Sequence, residues 1–126
     1  MFQLTVRDHV MIAHSLPRPA FGPAQNLHGA TFVVELTFRR EQLGPDSIVI
    51  DLGEASSVLG AVLGDLNYRN LDEHPVFAGR LSTTEAVAQH IAERVAEKIA
   101  TEHFVGIDVL LREHPDAWAG YRLDFD

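Results

Sequence analysis

Thr31-Phe32-Val33-Val34-Glu35-Leu36-Thr37-Phe38-Arg39 is the most regular stretch of the chain. Phe32, Val34, Leu36 and Phe38 share one parity. Thr31, Val33, Glu35, Thr37 and Arg39 share the other. A period of two with one apolar side is the pattern of a half-buried strand. Upstream, Pro17, Pro19, Gly22 and Pro23 mark residues 15–27 as a loop. Before that loop, Phe2, Leu4 and Val6 alternate with Gln3, Thr5 and Arg7. Val10-Met11-Ile12-Ala13 continues this first strand, with room for a bulge.

Downstream, Gly44-Pro45-Asp46 predicts a turn into a short strand, Ile48-Val49-Ile50. Asp51 can cap a helix starting near Gly53, with Val58, Leu59, Val62, Leu63 and Leu66 at helical spacing. Residues 67–81 read as a second loop. Ser82 and Glu85 have capping-box spacing. Val87, Ala88, Ile91, Ala92, Val95 and Ile99 then draw one apolar helix face. Phe104–Leu111 and Trp118–Phe125 read as two closing strands. Strands separated by a consecutive helix pair predict an α+β domain over residues 1–126, an antiparallel sheet covered on one face. Val33 and Leu110 make the other face look fairly apolar, which suggests contact with another subunit.

A chain of 126 residues is one domain by size, and it buries roughly two-thirds of its unfolded surface. Zero cysteine excludes disulfides, thiolate zinc clusters and a cysteine nucleophile. A formal charge of -8 argues against general nucleic-acid binding, but a few local arginines can still bind an anionic small molecule. No leader-like apolar core opens the chain, and no run of about 18 apolar residues occurs. The expectation is a soluble cytoplasmic protein with no membrane partner.

Seven histidines are many for this length. His14 ends the first strand region and His28 precedes the second. If the strands pair as a hairpin, the two rings can meet. Imidazole is the commonest metal ligand, but a catalytic zinc usually takes three protein ligands. A hydrogen-bonded structural pair is therefore the competing reading. His90 reads as solvated on the second helix, and His103 as a helix-end residue. His74 lies in the polar loop Asp72-Glu73-His74-Pro75. Glu113 shares the parity of Val109 and Leu111. A carboxylate in line with core residues needs a partner, and two donors of a heterocycle would serve. An exposed strand-end glutamate beside Arg112 is the plainer alternative.

Several short stretches resemble the 6-pyruvoyltetrahydropterin synthase and 6-carboxytetrahydropterin synthase family. Ala13-His14-Ser15-Leu16 is similar to the Ala-His-Arg-Leu around the family's first zinc histidine. Leu27-His28-Gly29 is similar to the Leu-His-Gly-His that carries the other two. Val49-Ile50-Asp51-Leu52 and Leu66-Asn67-Tyr68-Arg69-Asn70-Leu71-Asp72 fall where the family has a helix entry and a Leu-Asp-His segment. Ser82-Thr83-Thr84-Glu85 resembles the family's second-helix start. Glu113, followed by Tyr121, resembles the pterin-anchoring glutamate and terminal strand. The matches keep their order over nearly the whole chain.

The resemblance implies the tunnelling fold (T-fold), a four-stranded antiparallel sheet with two helices on one face. It implies an oligomeric barrel, a trimer or a hexamer of two trimers, with sites between subunits. It implies a reduced pterin or related heterocycle held by Glu113, Thr83 and Thr84. It implies zinc at His14 and His28. The family's third zinc ligand falls on Ala30, its cysteine on Ala24, and its Asp-His proton-transfer pair on Asn67 and Tyr68. Alanine does neither acid nor base work, and tyrosine with a pKa near 10 is a poor base at neutral pH. Losing one of three histidines would weaken zinc. Two functions stay open. One is a lyase-like enzyme, cleaving a carbon–oxygen bond by an altered reaction in which Tyr68 and His74 are the catalytic candidates. The other is a non-catalytic oligomeric pterin- or purine-binding or structural protein. An aldolase-like reaction on the same fold would need a lysine near the pterin, and the one lysine, Lys98, falls on the outward side of the second helix.

Overall fold

A computed structural model describes all residues 1–126. Strand β1 (Phe2–His14) pairs antiparallel with β2 (His28–Arg40), and the register brings His14 opposite His28. It runs without a register shift, so the bulge allowed for in β1 is not needed. Helix α1 (Leu52–Gly64), a two-residue strand β3 (Arg69–Asn70) and helix α2 (Thr84–Ala96) follow. Strands β4 (Gly106–His114) and β5 (Ala117–Asp124) complete a sheet of order β3-β1-β2-β4-β5. The sheet therefore has five strands rather than four. The extra one, β3, pairs parallel with Ile12 and Ala13. Its attachment is tertiary: the Asn67 side chain accepts from the Met11 amide at 2.9 Å, and the Tyr68 amide donates to the Met11 carbonyl at 2.7 Å. No helix is long and apolar enough to cross a membrane.

The apolar parity of residues 31–39 faces the helices. Phe32, Val34, Leu36 and Phe38 are fully buried. They meet Leu59, Leu63, Val87 and Ile91 from the helix pair in one core. Burial of such side chains contributes about 1.5–3 kcal/mol each. Ile48-Val49-Ile50 is not a strand. Ser47 turns the chain with φ 63°, Val49 and Ile50 sink into the core, and the Val49 carbonyl accepts from the Arg40 guanidinium at 3.1 Å. The segment thus packs as an apolar plug beneath Asp51, which caps α1 by accepting from the Glu54 amide at 2.9 Å.

The opposite sheet face is polar, contrary to the expectation from Val33 and Leu110. Thr5 and Thr37 hydroxyls meet at 2.7 Å, Arg112 donates to Glu35 at 2.9 Å, and Arg39 lies between Asp108 and Asp124 at 3.0 and 2.7 Å. Arg39 is buried because Gly106 leaves it room. A Cβ there would overlap both the Arg39 guanidinium and the Leu123 carbonyl.

Candidate functional site

The hairpin register carries the site. His14 and His28 sit opposite each other at the end of β1 and the start of β2, with ring centroids 4.6 Å apart. The Nδ1–H of His14 donates to the Ser82 carbonyl at 2.9 Å, and that of His28 donates to the Asn26 carbonyl at 2.8 Å. A carbonyl only accepts, so each Nδ1 carries the proton and each Nε2 keeps its lone pair. This is how proteins prepare histidine as a metal ligand or base. Burial holds the His14 pKa below its ordinary value. The Ser82 carbonyl opposes that shift, nearby His28 adds to it, and Asp72 and Glu113 oppose it. His14 is therefore neutral at pH 7.

Ser82 is the residue that sequence reasoning assigned elsewhere. The cap of α2 is Thr83, whose hydroxyl accepts from the Ala86 amide at 3.2 Å. The Ser82 hydroxyl instead lies 3.1 Å from His14 Nδ1. Asp72 is a further member. Its carboxylate accepts from the Ser15 amide at 3.0 Å and the Ser15 hydroxyl at 2.6 Å, which fixes the chain just after His14.

Glu113 lies at the register shift where β4 turns into β5. It is exposed and accepts from the Thr84 hydroxyl at 2.7 Å. Arg112 does not pair with it. That guanidinium holds Glu35 and stacks on Trp118 at 4.2 Å. Glu113, Thr84 and Trp118 line a cavity of about 150 Å³ at the start of α2. Glu113 also borders a larger cleft, about 420 Å³, with Thr31, Val33 and His114 on the other side of the sheet end. One carboxylate thus faces open space beside a helix start, where amides lack intrahelical acceptors.

The remaining sequence candidates lie apart from this group. Tyr68 is 79% exposed at the β3 edge, in a left-handed conformation with φ 61°. His74 is buried against Phe77 and His90. Its Nδ1 accepts from the Val76 amide at 3.1 Å, so its Nε2–H donates to Asp65 at 2.9 Å. Both nitrogens are engaged. His90 is buried rather than solvated, and its Nε2 has no hydrogen-bond partner. Ala30 shares the parity of His28 on β2 but offers a methyl group. Two imidazoles are thus available. Nowhere does the chain gather three or more His, Cys, Asp or Glu side chains able to hold a metal ion. The donor set does not complete a three-ligand zinc site.

A mostly antiparallel sheet backed by two helices, with a hairpin-anchored histidine pair and a strand-end glutamate beside a helix start, defines a T-fold domain. The chain belongs to the 6-pyruvoyl tetrahydropterin synthase family, whose description matches residues 3–124. It is 27% identical over 127 residues to the 6-carboxy-5,6,7,8-tetrahydropterin synthase of Bacillus subtilis, covering 96% of this chain and 85% of that protein. Its fold is similar to the 6-pyruvoyl tetrahydropterin synthase of Caenorhabditis elegans, with TM-score 0.84, 23% identity and coverage of 98% and 96%. The enzyme of the same name from Plasmodium vivax gives TM-score 0.82 at 18% identity, covering 98% of each chain. At those identities the two structures speak for the fold alone. Family membership supports a pterin-related function.

Proposed function

We propose that this chain binds a reduced pterin or a related heterocycle through Glu113, Thr83 and Thr84, within a trimer or a dimer of trimers. The observation that carries the reading is the Glu113 carboxylate, oriented by Thr84 at 2.7 Å and open to solvent at the helix start. Such a carboxylate can accept two parallel hydrogen bonds from the 2-amino group and ring N–H of a pterin. His14 and His28 would then face the ring's substituent.

We further propose that the reaction is altered from that of the synthases. Ala24 and Ala30 supply neither base nor ligand, and the Asn67 amide is spent on the Met11 backbone. Zinc, if held by His14 and His28, would polarise the substituent's oxygens, but the two imidazoles leave the site one protein ligand short. Tyr68 is the proton-transfer candidate, offered from the sheet edge toward a neighbouring subunit. His74 serves as a packed brace between α1 and the loop before α2. A binding-only protein is the second reading, favoured by the same replacements.

Calorimetry with a 7,8-dihydropterin tests the binding half. One site per subunit is expected. Glu113→Ala should lower affinity about a hundredfold, since two bonds to a charged acceptor are lost, with an unchanged melting curve. Equal affinity in the variant would remove the ring-anchor role. A turnover assay on dihydroneopterin triphosphate with added zinc tests the other half. Product at synthase-like rates would show that the reaction is unaltered.

A further inference from the structure

His74 and His90 are buried together, away from the hairpin pair. With Phe77 they form a cluster of rings whose centroids lie 5.8 to 6.1 Å apart. His74 has spent both nitrogens, one on the Val76 amide and one on Asp65. The His90 Nε2 has no partner and is sealed from solvent. The charged and titratable groups facing His90 come from each element around it. Arg94 and Glu93 lie on α2, Asp65 ends α1, and His74 reaches in from the loop. Arg69, at the start of β3, holds the same Asp65 at 3.3 Å.

The loop that carries His74 and Phe77 has little else to hold its middle. Its backbone bonds are local: the Phe77 amide donates to His74 at 3.0 Å, Ala78 to Pro75 at 3.2 Å and Arg80 to Phe77 at 3.0 Å. No backbone hydrogen bond ties residues 74–81 to the sheet or to either helix. Side chains do that work, His74 through Asp65 and Phe77 by burial against His90. Gly79, with φ 73°, makes a joint just after Phe77 that other residues adopt at a cost. The two ends of the loop touch the histidine site. Asp72 accepts from the Ser15 amide and hydroxyl, and the Ser82 carbonyl accepts the Nδ1–H of His14. Freeing the middle of the loop therefore loosens the acceptor that fixes the His14 tautomer.

A proton on His90 creates a cation where no acceptor waits, because Asp65 already serves His74. The charge is satisfied only if Asp65 leaves His74 or the loop lifts and admits water. Either change removes the tie that seats His74. We infer that residues 72–82 form a proton-operated latch, in which uptake of one proton by His90 unseats His74 and Phe77 and loosens Ser82 from His14. The direction follows from burial. Burial, then Arg94 and His74, lower the His90 pKa in the closed loop, while Asp65 and Glu93 oppose that shift. With the loop open the ring returns to its ordinary value near 6.5. Opening thus takes up a proton, and falling pH favours it below about 6.5. The latch itself needs no ligand. Its effect on a bound heterocycle rests on the ring-anchor reading of Glu113.

Amide hydrogen exchange of the full-length, ligand-free protein tests it, followed by NMR from about pH 7.5 to about pH 5.5. After correction for intrinsic exchange, the opening constants at Val76, Phe77 and Arg80 should rise by up to about tenfold per pH unit below 6.5. They should exceed those of Val34 and Leu36 in the central strand. They should also barely respond to urea below about 1 M, because a loop exposes little surface. His90→Leu and His90→Gln both remove the titrating ring, and either one that folds should flatten the pH slope at the loop. Loop opening independent of pH in the wild-type protein would overturn the inference. So would loop amides that share the opening constants and urea response of Val34 and Leu36, since the chain then opens as a whole. An undiminished slope in a folded His90 variant would move the proton to another group and overturn it too. Because no heterocycle is present, none of these outcomes bears on Glu113 as a ring anchor.

Discussion

At position 30 a single methyl group limits what the histidine pair can hold. Ala30 sits on the β2 parity of His28, and His28 faces His14 across the hairpin. Both Nδ1 protons are bound to backbone carbonyls, so both Nε2 lone pairs are free. Ala30→His would add a third imidazole on the same face. The expected outcome is a gain in zinc affinity of about a hundredfold, one ligand's share of a protein zinc site. Competition with a chromophoric chelator measures it, and equal affinity in the two proteins would contradict it. The pair itself was legible in the sequence, because two alternating strands around one proline-rich loop bring their ends together. Ser82 was not. A serine three residues before a glutamate at a helix start fits a cap, and only the folded chain shows its carbonyl and hydroxyl turned to His14 while Thr83 does the capping.

Among the elements, the seam between the helix pair and the loop before α2 is the pH-sensitive one. His90 on α2 is buried beside His74 and Phe77, and its Nε2 is unpartnered. Burial lowers its pKa, as do Arg94 and His74, while Asp65 and Glu93 oppose the shift. The unfolded chain takes up its proton near pH 6.5, and the folded chain only at lower pH. Between those values the unfolded state binds more protons, so stability rises with pH there. His14 adds in the same direction. Asp65 is lowered by the His74 hydrogen bond, so its stabilisation is lost in a separate window, as pH falls below the ordinary carboxylate range. Urea midpoints should be flat above about pH 6.5 and fall toward pH 5. His90→Leu should shallow that slope, and an unchanged slope would place the effect elsewhere. Gly106→Ala should cost about 1–3 kcal/mol in urea unfolding, because its Cβ would overlap Arg39 and Leu123. Periodicity exposed the long strands and both helices, since their own residues carry the burial pattern. It could not expose β3, which exists through the contacts of Asn67 and Tyr68 with Met11, nor the plug at Val49 and Ile50, whose apolar run suits strand and buried loop alike.

For the whole molecule, the sheet leaves two free edges, β5 and most of β1, and a free edge invites pairing with another chain. The outer face, laced with Thr5–Thr37, Arg112–Glu35 and Arg39–Asp108 contacts, suits a wet lining rather than a dry subunit interface. Subunits should therefore join edge to edge, as in a closed barrel. The direction of the free donors follows from Met11, whose amide and carbonyl point away from β2 to Asn67 and Tyr68. In an antiparallel pair the backbone groups of alternate residues face the same side. His9, Arg7, Thr5 and Gln3 thus present theirs to the free edge. Arg7 makes no ion pair, so Arg7→Pro removes one edge donor while leaving the β1–β2 ladder intact. Light scattering of the wild-type protein should give a mass that is a multiple of three times the 14.0 kDa subunit. Arg7→Pro should shift that mass toward the single subunit with its circular dichroism preserved. A wild-type monomer would show that the edges stay open. A variant that keeps both its fold and the full mass would move the joint away from β1.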